Sequence, residues 1–338
     1  MKTIQIARTV RTAAAAALLL TTLAACETKF YEDEQYRKEV YIVSNESNIA
    51  GQEYTFTDDA VGYLSIYTGG TTAIEEDVVV ELQKNSAFLR DYNQRIFGDD
   101  FNSYAQELDP ACYSIESMAV TLKASNPKPY TMLPIKVDIS ELDPDKTYFI
   151  PLRIKSVSKY MISEKKRDVL FRIYMKNDYA STKSTTYYTM NGTDELYKET
   201  SEGVFESQGV PTLINVTKSM APIAASSVRV LPGTTLSSEA STIAIRSLNV
   251  TVHPDRIVDV PVMKEGEPTG ETVQRQLVTI TSWQQNSRSM LVGTIDGKQS
   301  YYDPETQEFT LNYRYKLPAE TSWHFSNEVM TPLNITNK

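Results

Sequence analysis

The sequence is poor in cysteine, and this excludes a disulfide-stabilised scaffold. Only Cys26 and Cys112 occur among 338 residues, whereas small secreted domains that depend on disulfides carry many more. The fold must therefore rest on buried apolar side chains, for which a hydrophobic content of 41% is ordinary. Cys112 lies beside a predicted strand, and we interpret it as a small core residue and not as a nucleophile.

Histidine is equally scarce, which argues against most acid–base and metal chemistry. His253 precedes a proline at a predicted strand end and His324 lies between two aromatic residues, so we interpret both as structural. The sequence contains no nucleophile elbow, zinc-binding histidine pair or phosphate-binding loop. Asp99 and Asp100 point to opposite sides of an extended chain and cannot flank one glycosidic bond. We predict neither an enzyme nor a cofactor nor a metal site.

Positive charge is also in short supply. The 34 basic residues are outnumbered by 43 acidic ones, which gives a formal charge of −9. Lys2, Arg8 and Arg11 lie in a leader segment, so the chain without this leader is more negative still. No basic cluster with interleaved aromatic residues offsets this charge, and nucleic acid would be repelled. Nucleic-acid binding is therefore excluded.

No long apolar run is present, but a short one follows the amino terminus. Residues 12–25 are uncharged and rich in Ala and Leu, and they are fewer than the roughly 20 residues that a membrane-spanning helix needs. With the basic residues before them, they have the arrangement of a secretory signal peptide over residues 1–25.

The residues that end this leader, Leu23-Ala24-Ala25-Cys26, resemble a bacterial lipobox. The resemblance implies cleavage between Ala25 and Cys26, a diacylglycerol on the Cys26 thiol, and a membrane attachment through that lipid. The alternative is an ordinary signal peptide followed by a chance cysteine.

Residues 26–39 form a polar tether with Glu32-Asp33-Glu34 at its centre. A charge run of this kind is typical of a solvated segment. It also resembles the acidic patch that follows the lipidated cysteine in Bacteroidetes-type lipoproteins displayed on the outer face of the outer membrane. The resemblance implies a surface-facing outer-membrane lipoprotein; the alternative is an anchor that faces the periplasm.

Short β segments dominate residues 40–178. One predicted strand alternates apolar and polar residues, with Leu133, Ile135, Val137 and Ile139 on the apolar side, and the same alternation recurs at 148–155 and 169–175. Pro151 predicts an edge strand or a bulge, because it lacks an amide hydrogen. A helix is predicted between a cap at Asn85 or Ser86 and its end at Gly98. Its apolar side, Phe88, Leu89, Tyr92 and Ile96, is expected to pack on a sheet. We predict an immunoglobulin-like β-sandwich with one short helix.

An ordered series of short motifs in this region resembles a known module. It is the domain of unknown function at the front of many Bacteroidetes surface lipoproteins, which also precedes some family-18 endo-β-N-acetylglucosaminidases. Asp109-Pro110-Ala111-Cys112 departs from the family's plain Leu-Pro and affects a loop only. No catalytic residue is attributed to the module. The matching motifs are Val78–Leu82, Tyr92-Asn93, Leu108–Tyr113, Met118–Leu122, Val137–Ser140, Tyr148–Leu152 and Tyr174–Asn177.

The Ser- and Thr-rich residues 179–186 are predicted to be a linker to a second β domain, residues 187–338. A broken alternation across Ser247 favours a bulge, and residues 297–315 predict a hairpin that turns at 303–306. The absence of a long helical period predicts an antiparallel barrel or sandwich. The end of the chain resembles the C-terminal domain of unknown function that accompanies the front module. The chain as a whole is predicted to be all-β.

Trp283, Trp323, Tyr301 and Tyr302 are the candidate ligand-binding residues, with Gln284, Gln285 and Asn286 beside them. Sugars place their CH faces on aromatic rings while polar side chains bind the hydroxyls. The competing interpretation is that these rings build the core, since aromatic residues in strands usually do. Alternation allows only one of Tyr301 and Tyr302 to point outward.

The family's usual context implies a non-catalytic glycan-binding protein beside an outer-membrane sugar importer of the starch-utilisation type. This expectation comes from the resemblance and not from any residue of the chain. The alternative is a structural or adhesive lipoprotein that binds a protein partner.

Overall fold

The computed structural model describes residues 34–126, 130–264, 267–284 and 288–333. The leader, Cys26, Gln285 and Asn286 lie outside these ranges. Within them, no helix has the length and apolarity required to cross a bilayer. The prediction of an all-β chain is confirmed, and buried apolar residues form two main cores, one from Val40 to Met175 and one from Tyr179 to Met330.

The first domain is a sandwich of two sheets. The first sheet has the order β10-β1-β3-β8-β6. Its strands are β1 (Glu39–Ile42), β3 (Val61–Thr68), β6 (Tyr113–Ser114), β8 (Tyr130–Val137) and β10 (Met161–Ile162). The second sheet has the order β2-β11-β9-β4-β7, with β5 also paired to β9. Its strands are β2 (Ile49–Thr55), β4 (Val78–Lys84), β5 (Gln106–Glu107), β7 (Ala119–Leu122), β9 (Tyr148–Val157) and β11 (Asp168–Lys176).

The predicted helix is present as α1 (Ser86–Phe97), and Gly98 follows it with a left-handed φ of 55°. Leu89 packs with Phe149 of β9, which is why β9 is buried on both faces at this point. Ile96 was expected to pack as well, but it is 54% exposed, and Asn93 takes an inward position instead. The Asn93 side chain donates to the Ala105 carbonyl and accepts from the Ala105 amide.

Pro151 does not mark the edge that it predicted, because β9 lies between β11 and β4. The Pro151 carbonyl accepts from the Asn85 amide, one residue past the end of β4. The N–H and C=O groups of one strand residue point to the same side. The missing N–H of Pro151 therefore faces a place where β4 has already ended, and no ladder hydrogen bond is lost.

The second domain is a closed antiparallel barrel. Its ring is β12-β14-β15-β16-β17-β19-β20-β21, and β21 pairs with both β20 and β12. The ring strands are β12 (Thr186–Ser201), β14 (Thr212–Ala224), β15 (Ser227–Val230), β16 (Leu248–Lys264), β17 (Glu267–Ser282), β19 (Ser300–Asp303), β20 (Glu308–Lys316) and β21 (Trp323–Pro332). Two short strands extend the ladders of this ring: β13 (Val204–Ser207) pairs with β12 beyond the end of β14, and β18 (Leu291–Gly293) pairs with β20 beyond the end of β19.

The bulge predicted at Ser247 is wrong. The apolar residues before it belong to a short helix, α2 (Ala240–Arg246), and β16 begins only at Leu248. The spacing of Ile243 and Ile245 fits a strand as well as a helix of this length, so the pattern alone could not separate the two. The hairpin of β19 and β20 and the last strand were predicted correctly.

The two domains are joined by specific contacts beside the predicted linker. The Asn177 side chain donates to the carbonyls of Ala224 and Ser227, at 2.8 and 2.9 Å. Arg229 of β15 forms a two-bond ion pair with Asp145 of the first domain. The amide nitrogen of Asn177 and the Arg229 guanidinium thus tie β14 and β15 to the sandwich.

Candidate functional site

Tyr302 and Trp323, two of the four candidate aromatic residues, are buried. The Tyr302 ring contacts the rings of Tyr179 and Phe309 inside the barrel, with centroids 5.1 and 4.7 Å apart. Trp323 is only 9% exposed, and its indole N–H donates to Glu199 at 3.1 Å. The Tyr302 ring thus belongs to the barrel core, whereas the Trp323 ring lies outside that core and packs against the Phe205 ring, with centroids 5.9 Å apart.

Trp283 lies just past the end of β17 and is half-buried. The guanidinium carbon of Arg229 sits 4.5 Å from its ring centroid, so a cation already covers part of the indole. Tyr301 pairs with Leu277, which is about 20 Å from Trp283 along β17. The four residues therefore do not form one platform.

Tyr301 is the candidate residue that remains available. It is half-buried on the outer side of β19, and in the portion of the chain that the structure covers, its ring and hydroxyl have no aromatic or hydrogen-bonding partner. The ring lines a surface groove of about 420 Å³ between β16 and the segment that precedes β19. The groove is lined by Asp259, Val260, Pro261, Gly297, Lys298, Gln299 and Tyr301.

The hairpin of β16 and β17 changes register shortly before the groove residues Asp259–Pro261. The pairing is regular to His253 and resumes only at Ile257, which leaves three unpaired residues in β16. Such irregularities bend a strand. The bend accompanies the approach of Asp259–Pro261 to residues 297–299, on the outside of the barrel.

Polar groups surround the Tyr301 ring. The side chains of Asp259 and Gln299 are exposed and, across the four described ranges, form no hydrogen bond. Lys298 donates to the Asn327 side chain at 2.5 Å, which fixes the ammonium at the rim. The groove therefore offers one aromatic face, a carboxylate, an amide and a positioned cation.

Sequence reasoning found Tyr301 but missed its neighbours. Asp259 and Gln299 lie about forty residues apart in the chain, and only the bent hairpin brings them together. The signal that could have pointed to Asp259 is Pro254-Asp255-Arg256, an interruption of a strand pattern by proline and charge.

Family comparisons agree with the two-domain structure. A family model described as an N-terminal domain matches residues 36–161, and a second one described as C-terminal matches residues 167–331. The chain belongs to this two-domain family. The boundary between the two family models falls before β11, whereas the two cores separate between Met175 and Tyr179.

Solved Bacteroides structures share the family fold. A protein of unknown function from Bacteroides ovatus is 13% identical, with 88% of this chain and 94% of that chain covered and a TM-score of 0.54. An auxiliary nutrient binding protein from Bacteroides thetaiotaomicron is 12% identical, with 86% and 92% covered and a TM-score of 0.53. At these identities the likeness concerns the fold. No curated protein matches the sequence.

The two histidines of this family member have structural partners. His324 stacks on Tyr315, and its ring nitrogens bond to Asp194 at 2.7 Å and Glu320 at 3.2 Å. Burial lowers the pKa of His324, but the two carboxylates outweigh burial and raise it. His253 bonds to the Thr279 hydroxyl. Among the residues with a described position, no three His, Cys, Asp or Glu side chains are grouped as a metal site.

The Cys112 thiol is half-buried and packs against the core of the first domain. Burial is the largest cause of its raised pKa, and the nearby acids Asp109, Asp138 and Glu141 raise the pKa further. A raised pKa reduces the thiolate fraction at neutral pH, so this environment does not activate the sulfur.

Proposed function

We propose that the chain is a non-catalytic glycan-binding protein and that the Tyr301 groove is its sugar site. The observation that carries the proposal is the unpartnered Tyr301 ring, flanked by the free side chains of Asp259 and Gln299. The auxiliary nutrient binding protein of the same fold supports a binding role.

The chemistry of the groove suits a neutral sugar. The CH face of a pyranose packs on the Tyr301 ring, while the Asp259 carboxylate accepts from hydroxyls and the Gln299 amide both donates and accepts. The volume of about 420 Å³ lies within the range of small-molecule sites.

The proposed location is the outer face of the outer membrane, through a lipid on Cys26. Support comes from the lipobox and from the acidic residues after it. The last of these acids, Glu34, accepts hydrogen bonds from the amides of Thr71 and Thr72 and pairs with Lys38 at 2.8 Å. The tether is thus bound to the first domain at this point. A sugar importer is the proposed neighbour on the membrane.

The function is tested by a glycan array on residues 27–338, followed by titration of each bound glycan. We expect Tyr301→Ala to weaken binding about tenfold or more, because the stacking face is lost. Tyr301→Phe keeps the ring and is expected to retain most of the affinity. Tyr187→Ala is the matched control, since Tyr187 is an exposed tyrosine elsewhere on the barrel.

Two outcomes contradict the proposal. Unchanged binding by Tyr301→Ala would remove the groove as the site. Failure of every glycan to bind would remove the function itself and favour the protein-binding alternative.

One observation favours that alternative. Exposed apolar residues lie around the ends of β12, β13 and β14, where Val210 is 92% and Leu213 is 78% exposed. Val204 and Leu196 are exposed nearby. Apolar residues gathered at one end of a barrel are typical of a contact with another protein.

A further inference from the structure

The barrel wall has an opening beside the first domain. β15 pairs with β14 only between Ala221 and Ala224, so the residues of β14 before Ala221 face no strand on that side. A cavity of about 220 Å³ occupies this region and is lined by both domains. Its wall includes Asp145, Thr185, Lys218, Ser219, Arg229 and Thr235. We call it the seam cavity.

Lys218 is a buried basic residue of the seam cavity wall that forms no direct ion pair within the described ranges. The residue is only 2% exposed, and its ammonium donates to the Leu231 carbonyl, which also belongs to the cavity wall. No carboxylate of the described chain lies within ion-pair distance, although Glu328 and Asp194 act on Lys218 from farther away. An ammonium has three donors, and the structure gives this one a single acceptor.

The other cation of the wall is already neutralised. Asp145 binds both terminal nitrogens of Arg229, at 2.6 and 2.5 Å, and Trp283 covers its guanidinium. Arg229 therefore joins the two domains at this wall. Lys218 is left as the charge that a ligand can meet.

Hydroxyl groups complete the wall. The side chains of Thr185, Ser219 and Thr235 make no hydrogen bond within the described ranges. The cavity volume corresponds to about seven water molecules at about 30 Å³ each. This is room for one sugar ring and too little for two.

We propose that the seam cavity is a second binding site and that it takes a single uronic acid, a monosaccharide that carries a carboxylate. The carboxylate pairs with the Lys218 ammonium, and the ring hydroxyls meet Thr185, Ser219 and Thr235. The negative charge of the whole chain disfavours a polyanion, but one carboxylate on a buried ammonium forms a charge-assisted hydrogen bond.

The experiment is calorimetric titration of residues 27–338 with galacturonate and glucuronate, beside galactose and glucose as uncharged sugars of the same size. We expect the uronates to bind about tenfold or more tightly than the neutral sugars. Lys218→Met is expected to remove this preference. Lys198→Met, at an exposed position outside the cavity, is the control and should change nothing.

A second variant guards against misfolding of the buried substitution. Ser219 is exposed on β14, and Ser219→Trp fills the cavity while Lys218 stays in place. Uronate binding that survives Ser219→Trp overturns the proposal, as does equal affinity for charged and neutral sugars or no uronate binding at all.

The pH dependence adds an independent measure. Burial lowers the pKa of Lys218 to about 8, against the opposing influence of Glu328 and Asp194. Uronate affinity is therefore expected to fall as the pH rises through this value, because the neutral amine no longer attracts the carboxylate. Asp145 and Arg229, the other charged groups of the wall, form an ion pair with each other.

The inference extends the proposed glycan function to a different site, and the experiments can contradict either proposal without contradicting the other. Tyr301→Ala is expected to leave uronate binding unchanged. Lys218→Met and Ser219→Trp are expected to leave binding of neutral glycans in the Tyr301 groove unchanged.

Discussion

At the scale of single residues, Glu328 places a carboxyl group in the interior of the barrel. It is fully buried, and one carboxylate oxygen accepts from Tyr313, Ser326 and the Gly233 amide. The other oxygen has no partner among the described groups. Burial raises the pKa of Glu328, against the lowering influence of Lys218 and the three donors.

This raised pKa predicts how stability changes with pH. A carboxyl whose pKa is higher in the folded state binds its proton more tightly there than in the unfolded chain. Its stabilising effect is complete below the ordinary pKa of the unfolded chain and is lost as the pH rises through the raised value. We expect Glu328→Gln, which cannot ionise, to flatten the fall in melting temperature as the pH rises above the ordinary pKa of a glutamate.

At the most alkaline pH of the profile the Gln variant should melt about 3 °C above the parent protein, the shift that about 1 kcal/mol produces in a domain of this size. Glu305→Gln, at an exposed position, serves as the control. Thermal unfolding followed by circular dichroism makes the measurement. Parallel pH profiles of the parent and Glu328→Gln would contradict the assignment.

For single residues, the sequence predicted the type of side chain in a site better than the place of that side chain in the fold. Alternation showed that one of Tyr301 and Tyr302 faces outward, but the pattern alone could not say which one. The side chains beside Tyr301 could not be found, because a bent hairpin brings them there from a distant segment. Lys218 gave no signal either, since it occupies an inward position of β14 that an alternating pattern assigns to an apolar residue.

At the scale of elements, the closure of the barrel depends on a close approach between two strands. A Cβ atom added at Gly192 of β12 would lie 2.0 Å from the Asn327 carbonyl oxygen of β21. Because the Asn327 carbonyl belongs to the backbone, it cannot rotate away as a side chain could. Glycine is required here by space, and its φ is not in the left-handed region.

Gly192→Ala is therefore expected to lower the free energy of unfolding by about 3 kcal/mol, because β12 and β21 must move apart. Urea denaturation of the two proteins measures this difference. Gly203→Ala is the comparison: its Cβ would meet open space, and only its φ of 74° is unfavourable, which costs about 1 kcal/mol. Equal losses in the two variants would contradict a steric role for Gly192.

Long alternating strands were predicted more successfully than short elements. The apolar sides of β8 and β20 were read correctly from period-two patterns. The helix α2 has only seven residues, fewer than two full turns, so its periodicity cannot be told from a strand. The edge prediction from Pro151 was wrong because proline requires only a position where no ladder hydrogen bond is lost. The end of β4 beside Pro151 provides such a position inside the sheet.

At the scale of the whole molecule, the proposed anchor makes the clearest prediction. Cys26→Ala removes the thiol that would carry the lipid, so the variant is expected to leave the membrane fraction and appear in soluble fractions. Mass spectrometry of the parent protein should find a fatty-acylated Cys26 at the amino terminus. Protease treatment of intact cells should digest the parent protein if it faces outward.

A control keeps these readouts separate. Cys112→Ala changes the other cysteine, which is packed in the first domain, and should leave acylation and fractionation unchanged. An unmodified Cys26 on the native protein would contradict the anchor. If the protein is lipidated but resists protease on intact cells, the lipid anchor stands and the protein faces the periplasm.

The pairing of β12 with β21 has a consequence for how the chain reaches its final form. The first and last strands of the second domain are neighbours, so nearly the whole domain must be synthesised before the ring can shut. Contacts between such distant segments form late and slowly. A nascent chain halted before β21 would leave β12 and β20 without their partner and prone to pairing with other polypeptides. Closure of the barrel therefore depends on β21, and truncation before this strand should yield aggregates in place of a smaller folded protein.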